Sequence, residues 1–171
     1  VERPQAASVV NTSPMLAKDF KKDSNKLQWK NGVACQAKLD GVRAFCGVES
    51  GQVVLKSRGN KYYCNLQHIK DAFASLYESG VNETVLFDCE LFSRQLKFEE
   101  ITGICRKQKA LSDTELAVEK KIEAHIFDLF DTARPEMEFR DRYESLCAIA
   151  SNCRFPAVHM RSFTTTWSDL K

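Results

Sequence analysis

Lys38-Leu39-Asp40-Gly41-Val42-Arg43 places an amine, a carboxylate, a glycine and a guanidinium within six residues. At average residue usage a fixed Lys-x-Asp-Gly-x-Arg arises by chance in well under ~1 in 100 chains of this length. Glycine at position 41 allows the tight backbone turn that the flanking pattern calls for. Upstream, Val33 to Lys38 alternates loosely between apolar and polar residues and predicts a strand that ends at the lysine. Downstream, Val42 to Val48 predicts a second strand. Ser50-Gly51 then turns the chain into a third, Gln52 to Ser57. Three short strands joined by two tight turns are antiparallel in character.

The rest of the chain adds helices without regular strand-helix-strand spacing. Leu66, Ile69, Ala72, Phe73, Leu76 and Tyr77 recur at helical period, which predicts a helix over 65–79 with Asn65 as N-cap and Gly80 as stop. Thr84 to Phe92 reads as a strand and Phe98 to Lys107 as a short helix. Ser112-Asp113-Thr114-Glu115 has the form of a capping box opening a helix toward Lys121. Ala124 to Phe130 is an apolar central strand and Glu138 to Ser151 a helix. Ala157 to Phe163 is a closing strand, and Thr166 begins a helix. The expectation is an α+β fold of mostly antiparallel sheets flanked by helices. Residues 1–13 read as a flexible leader ahead of a single domain over 14–171.

Composition narrows the setting. Hydrophobic residues at 43% and charged residues at 28% describe an ordinary globule, and the net charge is only +2. A nucleic-acid partner must therefore be served by local clusters, at Lys18–Lys30, Lys56–Lys61 and Arg106–Lys109, rather than by an overall field. The first of these reads equally as solvated surface charge. Seven cysteines, with no Cys-x-x-Cys pair, argue against a zinc site and a disulfide framework and for a reducing compartment. No apolar run approaches a membrane span and no signal peptide is evident, so no membrane partner is expected and cytoplasm or nucleus follows by elimination. The three histidines, His68, His125 and His159, share no metal-ligand spacing and read as structural or surface residues.

The order of motifs is more specific than any one of them. After Lys38-Leu39-Asp40-Gly41-Val42-Arg43 come Ser57-Arg58-Gly59, Phe87-Asp88-Cys89-Glu90 and Ile126-Phe127-Asp128. Together they resemble motifs I, Ia, III and IIIa of the lysine-adenylating nucleotidyltransferases, most closely the ATP-dependent DNA ligases. Ser13-Pro14-Met15-Leu16-Ala17 is similar to the Met-Leu-Ala entry of many such ligases. The resemblance covers about residues 14 to 165 and implies a nucleotidyltransferase (ATP-grasp-like) adenylation domain.

What the resemblance implies for the residues can be set beside their chemistry. Lys38 would be the nucleophile, with Asp40 beside it in the catalytic turn. Lysine is almost wholly protonated at neutral pH, so a cleft holding other cations is needed to free its lone pair. Its attack on the α-phosphate of ATP would give Lys38-AMP. Gln36 would read the adenine edge, Arg43 would hold the ribose, and Arg58 would contact a DNA phosphate. Asp88 and Glu90, i and i+2 on a strand, share a face and form a candidate Mg²⁺ site, with Glu90 also reaching the ribose. Phe127 would stack on the purine, although its neighbours Ile126, Leu129 and Phe130 leave a core role open. Asp128, in an apolar strand, needs a partner.

The implied reaction seals 5′-phosphate/3′-hydroxyl nicks in double-stranded DNA, the partner expected for the full-length parent. The Glu-Gly motif IV and Lys-x-Lys motif V of the family do not occur here, and neither does its OB-fold domain. The expectation is a partial adenylation domain, weak or inactive alone and prone to self-association through exposed sheet edges. An RNA ligase or mRNA-capping guanylyltransferase on the same scaffold is the nearest alternative. A non-catalytic fragment that binds nucleotide or DNA is another. An NAD-dependent ligase fits less well because Arg43 stands where that group carries a small residue.

Overall fold

Period-two and period-3.6 patterning decide most elements where the sequence places them. The computed structural model describes residues 15–16, 19–27, 36–152 and 157–160. A short helix α1 (Phe20–Asp23) runs into a 3₁₀ turn at Ser24–Lys26. The strands are β1 (Val42–Glu49), β2 (Gln52–Ser57), β3 (Val85–Phe92), β4 (Glu123–Asp131) and β5 (Val158–Met160). The remaining helices are α2 (Gln67–Glu78), α3 (Phe98–Arg106), α4 (Asp113–Glu119) and α5 (Phe139–Asn152).

The α+β expectation holds. The described strands form one five-stranded sheet in the order β2-β1-β3-β4-β5. All pairings are antiparallel except β4 with β5, which is parallel. No described helix is long and apolar enough to cross a membrane. The leader over 1–13 and the helix start at Thr166 lie outside the described residues, as does the first half, 33–35, of the strand predicted over 33–38.

Alternation along the strands divides the sheet into two unlike faces. Ala44, Cys46, Phe87, Cys89, Leu91, Ala124 and Ile126 point to one side, where α2 lays down Ile69, Phe73 and Leu76 and α3 lays down Ile101, Ile104 and Cys105. Phe73 and Phe87 are fully buried and meet with ring centroids 5.4 Å apart. This is the main core, and burying each large apolar side chain there contributes roughly 1.5–3 kcal/mol. The opposite face holds a small apolar cluster, Phe45 and Leu86 with Val54 and Phe130 packed against them, and the charged residues of the motifs. The five described cysteines are free thiols. Cys46, Cys89 and Cys105 are buried as small core residues, and burial pushes the Cys105 thiol up to about 12.

Three sequence expectations need correction. Gln36 to Asp40 carries no strand, since no ladder pairing holds it among the described residues, so Gln36 and Lys38 do not share a strand face. Asn65 is not the cap of α2. Its side-chain amide donates to the carbonyls of Lys107 (2.8 Å) and Lys109 (3.4 Å), and Leu66, in the left-handed region at φ 68°, precedes the helix. The Leu66 N–H donates to the buried Glu119 carboxylate, which ties the start of α2 to α4. Lys56 does not belong to a nucleic-acid cluster. It is 1% exposed, 2.6 Å from the Glu49 carboxylate and 4.3 Å from the Tyr62 ring centroid. The capping box at Ser112 and Glu115 forms as expected, and α2 stops at Ser79-Gly80 with Gly80 at φ 109°.

Candidate active site

Register brings the motif residues together. Arg43 on β1 pairs with Glu90 on β3, and Phe45 pairs with Asp88, so Arg43 and Asp88 are diagonal neighbours on one face. The guanidinium reaches across the diagonal. Nε donates to Asp88 Oδ1 at 2.9 Å and Nη2 donates to Oδ2, a fork-to-fork pair. Nη1 donates to the Met15 carbonyl at 2.9 Å, so every branch of the fork is engaged. The Tyr63 hydroxyl donates to the Arg43 carbonyl at 3.0 Å and fixes the strand from the core side.

A bulge then delivers the aromatic residue. Asp88 pairs with Asp128 but Cys89 pairs with Ile126, which leaves Phe127 as the extra residue of β4. Its ring is half-buried and lies under the Arg43 guanidinium at 5.3 Å, outside both apolar clusters. A core role for Phe127 is therefore overturned: Ile126 and Leu129 take the core positions and the bulge turns Phe127 to the polar face. Phe45 approaches the same guanidinium at 5.5 Å. Asp128 finds its partner on α5, where Arg142 Nε and Nη2 donate to its two oxygens at 2.9 and 2.8 Å. Nothing in the spacing of Arg142 signals this role, because the pairing spans 14 residues and depends on where α5 returns.

Gly41 is the closest approach in the site. Its N–H donates to Glu90 Oε1 at 3.1 Å, and a Cβ built there would collide with the Leu91 carbonyl oxygen and press on Glu90 Cγ at 3.0 Å. Only glycine lets the Lys38 turn lie against β3 in this way. Burial pushes the Glu90 carboxyl above its ordinary value, opposed by the Gly41 N–H and by the positive charges of Lys38 and Arg43. Burial likewise raises Asp88, with the Arg43 bond acting against it. Lys38 and Asp40 are exposed and Gln36 is half-buried.

Three of the site residues, Gly41, Arg43 and Glu90, open onto a cleft of about 1100 Å³, whereas Gln36, Lys38, Asp40, Asp88 and Phe127 are not among its lining residues. Arg58 from the Ser57-Arg58-Gly59 turn, Lys61 and Arg106 add positive charge to the same lining. Arg58 was singled out in the sequence, whereas Lys61 and Arg106 stood only within broader basic clusters. Phe127 and Asp88 stand beside Arg43 on the same face. Among the carboxylates, Glu90 keeps an oxygen beyond its Gly41 bond, whereas Asp88 has both oxygens bridged by Arg43.

The family model for the ATP dependent DNA ligase domain matches residues 14–169. The chain belongs to the ATP-dependent DNA ligase family. Solved ligase structures share its fold at low identity. The Pmar-Lig_Pre structure superposes with a TM-score of 0.67 at 17% identity, over 87% of this chain and 34% of that one. A Lig E DNA ligase gives 0.62 at 19%, over 92% and 54%. Chlorella virus DNA ligase-adenylate gives 0.53 at 17%, over 79% and 45%. The chain thus spans about a third to a half of these ligases. No curated protein matches the sequence. The matched family is one of ATP-dependent enzymes, and the match spans every residue of the site described above.

Proposed function

We propose that this chain is the front part of a ligase adenylation domain in which Lys38 takes AMP from ATP for the sealing of nicked double-stranded DNA. The observation that carries this reading is the convergence of Gly41, Arg43, Glu90 and Phe127, remote in sequence, beside the exposed Lys38 turn. The Lys38 amine loses a proton and attacks the α-phosphorus. A P–N bond forms, the bond to the bridging oxygen breaks, and pyrophosphate leaves. In the parent enzyme the AMP then passes to a 5′ phosphate, and 3′-hydroxyl attack releases it.

Each residue has a role its surroundings can support. Phe127, turned out by the bulge, offers a face for the purine, and Gln36 its amide for the adenine edge. Arg43 is held rigid by Asp88 so that its remaining branch, now on the Met15 carbonyl, can serve the ribose. Asp40 stays on the exposed turn beside the nucleophile. When bound, Mg²⁺ would neutralise phosphate charge and draw the α-phosphorus toward attack. Glu90 fits as its protein ligand, because it is half-buried and its ionised form gains from a nearby dication. Asp88 fits poorly as a ligand and well as the residue that positions Arg43. Arg58, with Lys61 and Arg106 along the same cleft, would take phosphates of the nicked strand.

Intact mass after incubation with ATP and Mg²⁺ tests the proposal. A covalent gain of one AMP that disappears in Lys38→Ala supports it. A gain that persists in Lys38→Ala, or labelling by GTP in place of ATP, would overturn it. For the DNA role, Arg58→Ala should lower the salt dependence of nicked-duplex binding by about one phosphate contact.

A further inference from the structure

A second group of ligating side chains stands on the far strands of the sheet. Parallel pairing of β4 with β5 sets His125 directly opposite His159. The imidazoles stack with centroids 5.0 Å apart and planes inclined by 26°. Glu123, two residues before His125 on the same face, turns one carboxylate oxygen between them. Its Oε2 lies 3.0 Å from His125 Nε2 and 3.5 Å from His159 Nε2. All three candidate ligand atoms fall within 4.8 Å of one another. His159 Nε2 is buried and makes no hydrogen bond, although it is aimed into this group. The Phe92 ring packs edge-on to His125 at 5.6 Å and holds its orientation.

We propose that Glu123, His125 and His159 form a binding site for a zinc-class transition-metal dication. Tetrahedral zinc with bonds of 2.0–2.1 Å keeps its ligands about 3.4 Å apart, and the two carboxylate–imidazole separations bracket that value. Two imidazoles and a carboxylate favour zinc and its first-row neighbours over Mg²⁺, which takes oxygen ligands. The Glu123 and His159 side chains keep 38% and 42% exposure, so a fourth ligand can enter from solvent. The ion would join adjacent strands and fasten β5, only three residues long, to the sheet. This supersedes the reading of these histidines as merely structural, which sequence spacing alone favours: 34 residues separate two imidazoles that the parallel register makes neighbours. The proposal does not depend on the ligase reading.

Calorimetric titration of the chelator-treated 171-residue chain with ZnCl₂, in millimolar MgCl₂, tests it. One zinc should bind per chain despite the Mg²⁺ and raise the unfolding temperature. His159→Ala and His125→Ala should each weaken binding by at least about 10–100-fold, the range seen for loss of even an outer-shell partner. The double variant Cys64→Ser/Cys147→Ser, which removes the two thiols that are exposed among the described residues, should bind as the wild type does. X-ray absorption of the zinc-loaded wild type adds a readout that no misfolded variant can confuse. A shell of nitrogen and oxygen near 2.0–2.1 Å with imidazole scattering supports the site, and sulfur near 2.3 Å overturns it. Absence of binding to the wild type, or zinc affinity unchanged in both histidine variants, would also overturn it.

Discussion

Arg43 and Asp88 form a two-pronged ion pair across the diagonal of β1 and β3, with the Phe127 ring against the same guanidinium. The pair is partly buried, with 22% and 16% of the side chains exposed. Removing one partner of a pair like this leaves the other desolvated and unmatched. Asp88→Asn should destabilise the chain by about 2–3 kcal/mol, somewhat below the cost for a fully buried pair. Self-adenylation should fall with it, because Arg43 is released from its position. Urea unfolding gives the first number and intact mass the second. An unchanged unfolding midpoint would show that the pair contributes nothing net.

Gly41→Ala tests the close approach of the Lys38 turn to β3. The obstacle is a backbone carbonyl, Leu91, which cannot move aside as a flexible side chain could. Overpacking of this kind costs typically about 1–3 kcal/mol, and relief requires the turn to lift away from Glu90. Far-ultraviolet circular dichroism should stay close to wild type while AMP transfer to Lys38 is lost. Full retention of transfer would mean that the Gly41–Glu90 contact is dispensable.

Glu90 and Glu115 should respond to pH with opposite signs. Burial holds the Glu90 carboxyl above its ordinary value, so its contribution to stability is present at low pH and lost as pH rises through the folded-state value. Glu90→Gln can still accept the Gly41 N–H and should match or exceed wild-type stability at neutral pH while reducing adenylation. Glu115 behaves in the reverse sense. The Lys107 ammonium, 2.6 Å from both carboxylate oxygens, and the Ser112 donors hold it down to about 2. Its contribution is present above the ordinary carboxylate range and fades as pH falls toward that value. Unfolding midpoints of wild type and Glu115→Gln should differ near neutral pH and converge near pH ~2.

Arg142→Ala isolates the partner that Asp128 requires. With 12% and 13% exposure, this pair is more buried than Arg43–Asp88, and breaking it should cost about 3 kcal/mol. Lysine at 142 should recover only part of the loss, since it cannot bridge both oxygens. Chemical denaturation of the two variants checks the order. Equal stability of Arg142→Lys and wild type would show that charge alone suffices.

Local pattern was enough for most of the architecture. The alternation in Val42–Glu49 and Val85–Phe92, the helical period of Ile69, Phe73 and Leu76, and the capping box at Ser112 each act over a few residues, and each element forms where those rules place it. The motif order likewise named the family, because those residues are chosen for chemistry that a linear pattern can carry. Pairing across distance was not legible in this way. The bulge that turns Phe127 away from the core, the reach of Arg142 to Asp128 and the meeting of His125 with His159 all depend on register between segments tens of residues apart, or on a helix returning to its strand. Residue type and spacing decide which groups are available. Which of them stand within hydrogen-bond reach of one another is decided by strand pairing and by the packing of α2, α3 and α5 against the sheet.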